Sequence, residues 1–268
     1  MKRTLYTLAC VAALAGTSNA EDIIKSDVVI NKGETAEYGY LDIGSYYSQG
    51  SLINNGVVNA NQVYIYDGYL INNGTMNDVP DEYDEECYDF ISLADTATGG
   101  YIENNGTING SLFIHEGTTL TLNDGSYTAA TELWGGTLYV NGNVQTEYMY
   151  LEDNSEIIMT LGSSIDLMGG GMAFYDVKIV LLIDSAITAG DTTTDFSFLN
   201  KNDLFVNFVN DSWMSDGFTD DTLITLRDEQ GNETTRKYSE ISESIPEPTT
   251  ATLSLLALAA MAARRRRK

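Results

Sequence analysis

The chain has 268 residues, with 39 Asp and Glu against 14 Lys and Arg, a formal net charge of −25, one His, two Cys and three Pro. That length supports one sizeable folded body, two at most. The acidity excludes a nucleic-acid binder, whose affinity comes from neutralising phosphates with Lys and Arg, and argues against lying flat on an anionic membrane.

Met1 to Ala20 has the layout of a secretory signal: Lys2 and Arg3, an apolar run from Leu5 to Leu14, then Ser18-Asn19-Ala20 as a small-x-small cleavage site. Cleavage is expected between Ala20 and Glu21. Cys10 leaves with the signal, so the mature body keeps only Cys87 and forms no internal disulfide. Residues 21 to 245 hold 38 acidic and seven basic side chains.

The body reads as short strands. One phrase occurs three times: Leu52-Ile53-Asn54-Asn55-Gly56, Leu70-Ile71-Asn72-Asn73-Gly74 and Ile102-Glu103-Asn104-Asn105-Gly106. The first two copies are 18 residues apart and the next two 32 apart, with an acidic stretch from Pro80 to Glu86 between them. A repeat near 18 with one looped-out insertion explains both spacings. Asn-Gly favours positive φ at turns, and the apolar residues before it suit strands. A looser rhythm continues through Ser111 to Ile114, Thr118 to Leu122, Gly136 to Val140, Tyr148 to Leu151, Glu156 to Leu161, Ile165 to Met168 and Val177 to Ile183.

This pattern predicts an all-β fold: a single-stranded right-handed parallel β-helix over 21–195 with a C-terminal β cap over 196–240. At about 20 residues per coil the body would hold about ten coils and stack to roughly 50 Å. Equivalent Asn residues would form hydrogen-bonded ladders along the stack. The alternative is an antiparallel sandwich or barrel with Asn-Gly hairpins. The repeats loosely resemble, in composition and rhythm, the stalks of autotransporters and surface adhesins. Past residue 190, Asp191 to Thr194 reads as a loop, Leu204 to Val209 as a strand, and Leu223 to Leu226 with Thr234 to Tyr238 as a closing hairpin. A solenoid needs such a cap because its last coil otherwise shows an open edge.

Candidate chemistry is sparse. His115, the one histidine, sits at a strand end before a turn, which suits a solvated turn residue better than a triad member. Paired carboxylates are too abundant for any pair to mark a glycosidase, and Lys and Arg are absent between Lys32 and Lys178. An enzyme is not expected, and no cofactor. Asp81, Glu82, Asp84, Glu85 and Glu86 offer hard oxygen ligands of the kind Ca²⁺ takes, without EF-hand spacing, and read first as a solvated loop. Seventeen tyrosines, Tyr38, Tyr40, Tyr46, Tyr47, Tyr64, Tyr66, Tyr148 and Tyr150 among them, suggest sugar stacking, but half-buried core positions account for them better. Thr119 and Thr121 begin an array of the kind ice binding would use, with nothing expected to continue it at the repeat interval.

Residues 241–268 close the chain as a distinct segment: a short tether, Pro246-Glu247-Pro248, fifteen uncharged residues from Thr249 to Ala263, then Arg264, Arg265, Arg266, Arg267 and Lys268. As a helix the uncharged stretch would be about 22 Å long, marginal against a hydrocarbon core of about 30 Å, with the basic cluster on the cytoplasmic side. This segment resembles the PEP-CTERM sorting signal of exopolysaccharide-producing Gram-negative bacteria. The resemblance implies transient insertion in the inner membrane, processing by an exosortase-type membrane protease, and delivery to the cell surface, outer membrane or extracellular matrix. The same tail occurs on some ice-binding proteins. The expected role is structural or adhesive, with extracellular polysaccharide as a partner; a β-helix polysaccharide-active enzyme, or an ice- or calcium-binding surface protein, is the alternative.

Overall fold

The computed structural model describes residues 21–45, 49–66, 68–79, 90–93, 100–160, 162–168, 170–181, 186–189, 192–194, 204–209, 219–227 and 230–242. The signal segment with Ala20, the acids from Asp81 to Glu86, Cys87, and the tail from 243 onward with Pro246, Glu247, Pro248 and Arg264 to Lys268 lie outside these residues.

Each short apolar run forms one side of a turn, and Asn, Gly and charged residues take the corners. The first turn is β1 (Glu21–Ile24), β2 (Asp27–Ile30) and β3 (Thr35–Glu37); the second is β4 (Tyr40–Ile43), β5 (Gly50–Asn54) and β6 (Val57–Ala60); the third is β7 (Gln62–Ile65), β8 (Gly68–Asn72) and β9 (Thr75–Asp78). The fourth begins with β10 (Ile91–Leu93) and β11 (Tyr101–Asn104). From there the third side of one turn runs on into the first side of the next, giving the longer strands β12 (Thr107–His115), β14 (Tyr127–Trp134) and β16 (Asn143–Glu152), with β13 (Thr119–Asn123), β15 (Thr137–Asn141) and β17 (Glu156–Met159) between them. The stack ends with β18 (Ser164–Asp166), β19 (Met172–Leu181) and β20 (Ala186–Ala189).

Parallel pairing between successive turns builds three faces. The first is β1-β4-β7-β10-β12-β14-β16-β19. The second is β2-β5-β8-β11-β13-β15-β17-β19, and the third β3-β6-β9-β12-β14-β16-β18-β20. The body is a parallel β-solenoid of about seven turns, fewer than the ten expected. The difference arises because the insertion before β10 lengthens one turn, and the chain beyond β20 leaves the parallel stack altogether.

Aliphatic columns fill the interior. On the second face Leu52, Leu70, Ile102, Leu120, Leu138, Ile157 and Ile179 follow one another in register, all buried. Ile43, Ile65, Ile114, Leu133, Leu151 and Phe174 line the first face. Burying such side chains, at about 1.5–3 kcal/mol each, supplies the driving force for stacking.

The repeated phrase places its two Asn on opposite sides of the strand. Asn54, Asn72 and Asn104 are fully buried and joined amide to carbonyl at 2.8 and 2.9 Å. Asn55, Asn73, Asn105, Asn123 and Asn141 make an outer ladder with steps of 2.6 to 3.0 Å. The glycines of the phrase act differently from the turn reading. None of Gly56, Gly74 and Gly106 has positive φ. A Cβ on Gly74 would sit 2.1 Å from the Gly56 carbonyl oxygen, and one on Gly106 2.2 Å from that of Gly74. They are glycines because the backbones of successive corners touch.

Beyond the stack the pairing turns antiparallel. Thr192 to Thr194, read above as part of a loop, form strand β21 (Thr192–Thr194) against β20. Strand β22 (Leu204–Val209) pairs with β19, β23 (Leu223–Arg227) with β22, and β24 (Glu233–Lys237) with β23. The last rung of the first face thus has its outer edge covered. The start of the expected tether is a short helix, α1 (Tyr238–Ser242), whose Ile241 is buried with the core.

Candidate aromatic binding face

Register decides which side of each strand faces out. On β7, Val63 and Ile65 are buried while Tyr64, and Tyr66 just after the strand, are half-buried; on β16, Met149 and Leu151 are buried while Tyr148, Tyr150 and Glu152 stand on the other side. These four tyrosines hold the half-buried positions expected of them, on the outward side of the sheet. The aliphatic columns occupy the interior and leave the aromatic rings on the outer surface of the first face. Tyr38 does pack against the core.

The rings gather on successive turns. Trp134, 39% exposed, ends β14, and its ring lies 6.1 Å from that of Tyr150 on the next turn. Tyr150 lies 5.9 Å from Tyr175 on the turn after. Carboxylates accompany them: Glu132 is the register partner of Tyr150, and Glu152 that of Trp134. The Tyr150 hydroxyl donates to Glu152. Burial, then this hydrogen bond, raises its pKa well above the ordinary tyrosine range. Burial and the neighbouring charge of Glu132 push Tyr148 up to about 12. Both hydroxyls are therefore protonated donors at any physiological pH. Flat apolar rings, hydroxyl donors and carboxylate acceptors on one surface are suited to the apolar faces and hydroxyl rims of sugars.

The other sequence candidates fall apart from this strip or beside it. His115 ends β12, half-buried, as the register partner of Trp134, and its carbonyl accepts from the backbone and hydroxyl of Thr118. Glu21, the residue after the expected cleavage, opens β1. Thr119 has a neighbour at the repeat interval after all, since Thr137 is its register partner, but the column runs on to Glu156 and back to Tyr101. Among the described residues no group of three or more His, Cys, Asp or Glu is placed to hold a metal ion. Sequence reasoning missed Trp134, Glu132, Glu152 and Tyr175. The signal that finds them is the register, because Trp134 and Glu152 are one 18-residue repeat apart.

The family model of the PEP-CTERM protein-sorting motif matches residues 244–268. That motif implies handling by an exosortase-type system and export to the cell surface. It covers the tail and not the solenoid body. No curated protein and no solved structure matched the chain. Among the described residues no helix is long and apolar enough to cross a membrane; the uncharged stretch from Thr249 to Ala263 lies outside them.

Proposed function

We propose that the chain is a non-enzymatic structural or adhesive protein of the Gram-negative cell surface or extracellular matrix, and that it holds extracellular polysaccharide along the first face of its solenoid. The observation that carries this reading is the run of Trp134, Tyr150 and Tyr175 rings across three successive turns, flanked by Glu132 and Glu152. A sorting motif that delivers the body to the cell surface brings that strip to where such polymers are. A rigid stack holds these rings 6.1 and 5.9 Å apart on successive turns, so a chain polymer can meet several rings at once, each weak contact adding to the next.

Affinity electrophoresis of the exported protein in gels containing its native matrix polysaccharide tests the reading. Retardation is expected for the wild type. Trp134→Ala combined with Tyr150→Ala is expected to lose at least about tenfold in affinity, since two stacking contacts of about 1 kcal/mol or more are removed. A wild type that migrates unretarded, or a double variant retarded as strongly as the wild type, overturns it.

A further inference from the structure

Around Trp134 and Tyr150 the outward residues of two adjoining strands form a checkerboard. Glu132 and Trp134 stand two apart on β14, and Tyr150 and Glu152 two apart on β16; the register sets Glu132 beside Tyr150 and Trp134 beside Glu152. Each ring thus has one carboxylate on the neighbouring strand and another on its own. The corner after Trp134 adds two more acids. A Cβ built on Gly135 would lie 3.1 Å from that of Glu116 and 3.4 Å from the Asp153 backbone oxygen, and both of these acids are exposed.

Fixed positive charge is missing from the same surface. Strands β1 to β16 hold no Lys or Arg, and Lys178 on β19 pairs with Glu156 on the second face. His115, next to Trp134 in register, is the one residue of the strip that can turn positive. The acids are not gathered for a metal either, since among the described residues no three His, Cys, Asp or Glu are placed to hold one ion. Rings and carboxylates in alternation suit a larger ligand, apolar and flat in one part and cationic in another.

Resting on the reading that this strip holds polysaccharide, we infer that its substrate class is a polymer of amino sugars whose nitrogens are unacetylated and protonated. Sugar faces stack on Trp134, Tyr150 and Tyr175, and the ammonium groups settle between the rings and Glu132 and Glu152. An ammonium is attracted to the electron-rich face of an aromatic ring, and carboxylates a few ångströms away add direct Coulomb attraction. A neutral polymer gains the stacking alone. An acidic polymer meets repulsion from the strip and from the body behind it, where residues 21 to 245 hold 38 acids against seven bases. That field draws a polycation in from a distance, and the checkerboard decides how its sugars seat.

Isothermal titration calorimetry on the exported chain tests this with glucosamine oligosaccharides and their fully N-acetylated counterparts of equal length. The pH is mildly acidic, so that the amines are protonated, yet above the ordinary glutamate value of about 4.3. The glucosamine form is expected to bind at least about tenfold more tightly. Glu132→Gln combined with Glu152→Gln, which keeps an acceptor for the Tyr150 hydroxyl, is expected to shrink that preference below about threefold. Should the double variant fail to fold, wild type in about 1 M salt, where charges are screened within about 3 Å, is expected to show the same shrinkage. Equal affinity for the two probes overturns the inference, and so does a preference that survives both the double variant and high salt. An oligolysine of matched charge bound as tightly as the glucosamine form also overturns it, since charge alone would then be the determinant. Binding of neither probe, with the native polysaccharide still retarded in the gels described above, overturns the inference and leaves the polysaccharide reading standing. Loss of that retardation is what overturns the reading itself.

Discussion

Asn72 donates its side-chain amide to Asn104 at 2.9 Å although 32 residues separate them, and its carbonyl receives the amide of Asn54, 18 residues earlier, at 2.8 Å. The same side chain also donates to the Thr107 carbonyl and accepts from the Gly74 backbone N–H. Two donors and two acceptor sites are thus all used inside the core, which is the full capacity of an asparagine. A polar column in a core is tolerable on these terms, because each buried group keeps a partner.

Asn72→Leu tests what that satisfaction is worth. The substitution keeps the branched shape but removes four buried hydrogen bonds, to the Asn54 amide, the Asn104 carbonyl, the Gly74 N–H and the Thr107 carbonyl, at about 1 kcal/mol each, although Asn54 keeps the Thr75 carbonyl and Asn104 keeps the Gly106 N–H. A loss of about 3–5 kcal/mol is expected after partial relaxation. Asn73→Leu, one position on and exposed in the outer ladder, is expected to cost under about 1 kcal/mol, since water replaces its partners. Urea midpoints of the two variants check this; equal losses would show that the inner ladder has no special weight.

The glycines give an ordering that local turn rules reverse. Gly33 has φ of +86° with nothing within 4 Å of an added Cβ, so Gly33→Ala is expected to cost about 1–2 kcal/mol from backbone strain alone. Gly74 has an ordinary φ, yet its Cβ would overlap the Gly56 carbonyl. Gly74→Ala must therefore push two turns apart, and is expected to destabilise the fold by more than Gly33→Ala does. Thermal unfolding of the pair decides the order.

The spacing of the three Asn-Asn-Gly phrases was enough to set the register of β5, β8 and β11 before any coordinates, since Leu52, Leu70 and Ile102 fall where the repeat puts them. What stayed hidden has a common cause. Alternation in Val63-Tyr64-Ile65-Tyr66 shows that both tyrosines share a side, but valine, isoleucine and tyrosine all suit strands, so the side they share is fixed only by the aliphatic columns of the neighbouring turns. The glycine role was hidden likewise, because contact between corners is a property of stacked turns and leaves no mark within one phrase. The outward strip of Trp134, Tyr150 and Tyr175 depends on both kinds of information and was legible only as scattered aromatics.

Alkaline pH should loosen the body. Burial and the 2.6 Å hydrogen bond to Glu147 push Tyr127 up to about 12, and burial with the charge of Glu132 does the same for Tyr148. The folded state holds these protons more tightly than the unfolded chain, where tyrosine titrates near 10. Their contribution is therefore complete below about pH 10 and is lost as pH rises toward about 12. Denaturation midpoints are expected to fall across that window, and less steeply in Tyr127→Phe. Ultraviolet titration of the folded wild type should show tyrosines that ionise only near pH 12; if every tyrosine ionises around pH 10, the environment assigned to Tyr127 and Tyr148 is wrong.

The sorting motif predicts processing at the tail, and the signal layout predicts it at the start. The segment from Thr249 to Ala263 is short for a membrane span, so it suits a transient hold during export better than a lasting anchor, and a basic cluster such as Arg264 to Lys268 is expected to favour the cytoplasmic side. Protein recovered from outside the native cell is expected to have an intact mass that starts at Glu21 and lacks the residues after about Pro248. Replacing Arg264 to Arg267 with Ser should weaken orientation in the membrane and leave unprocessed chain in the cell fraction. Substituting Pro246 and Pro248 with Ala should spare membrane insertion and block the cut, which separates recognition of the motif from simple anchoring. An external mass that still contains Arg264 to Lys268 would mean that the tail is kept, and the solenoid would then stand tethered at its capped end with the β1 edge turned away from the membrane.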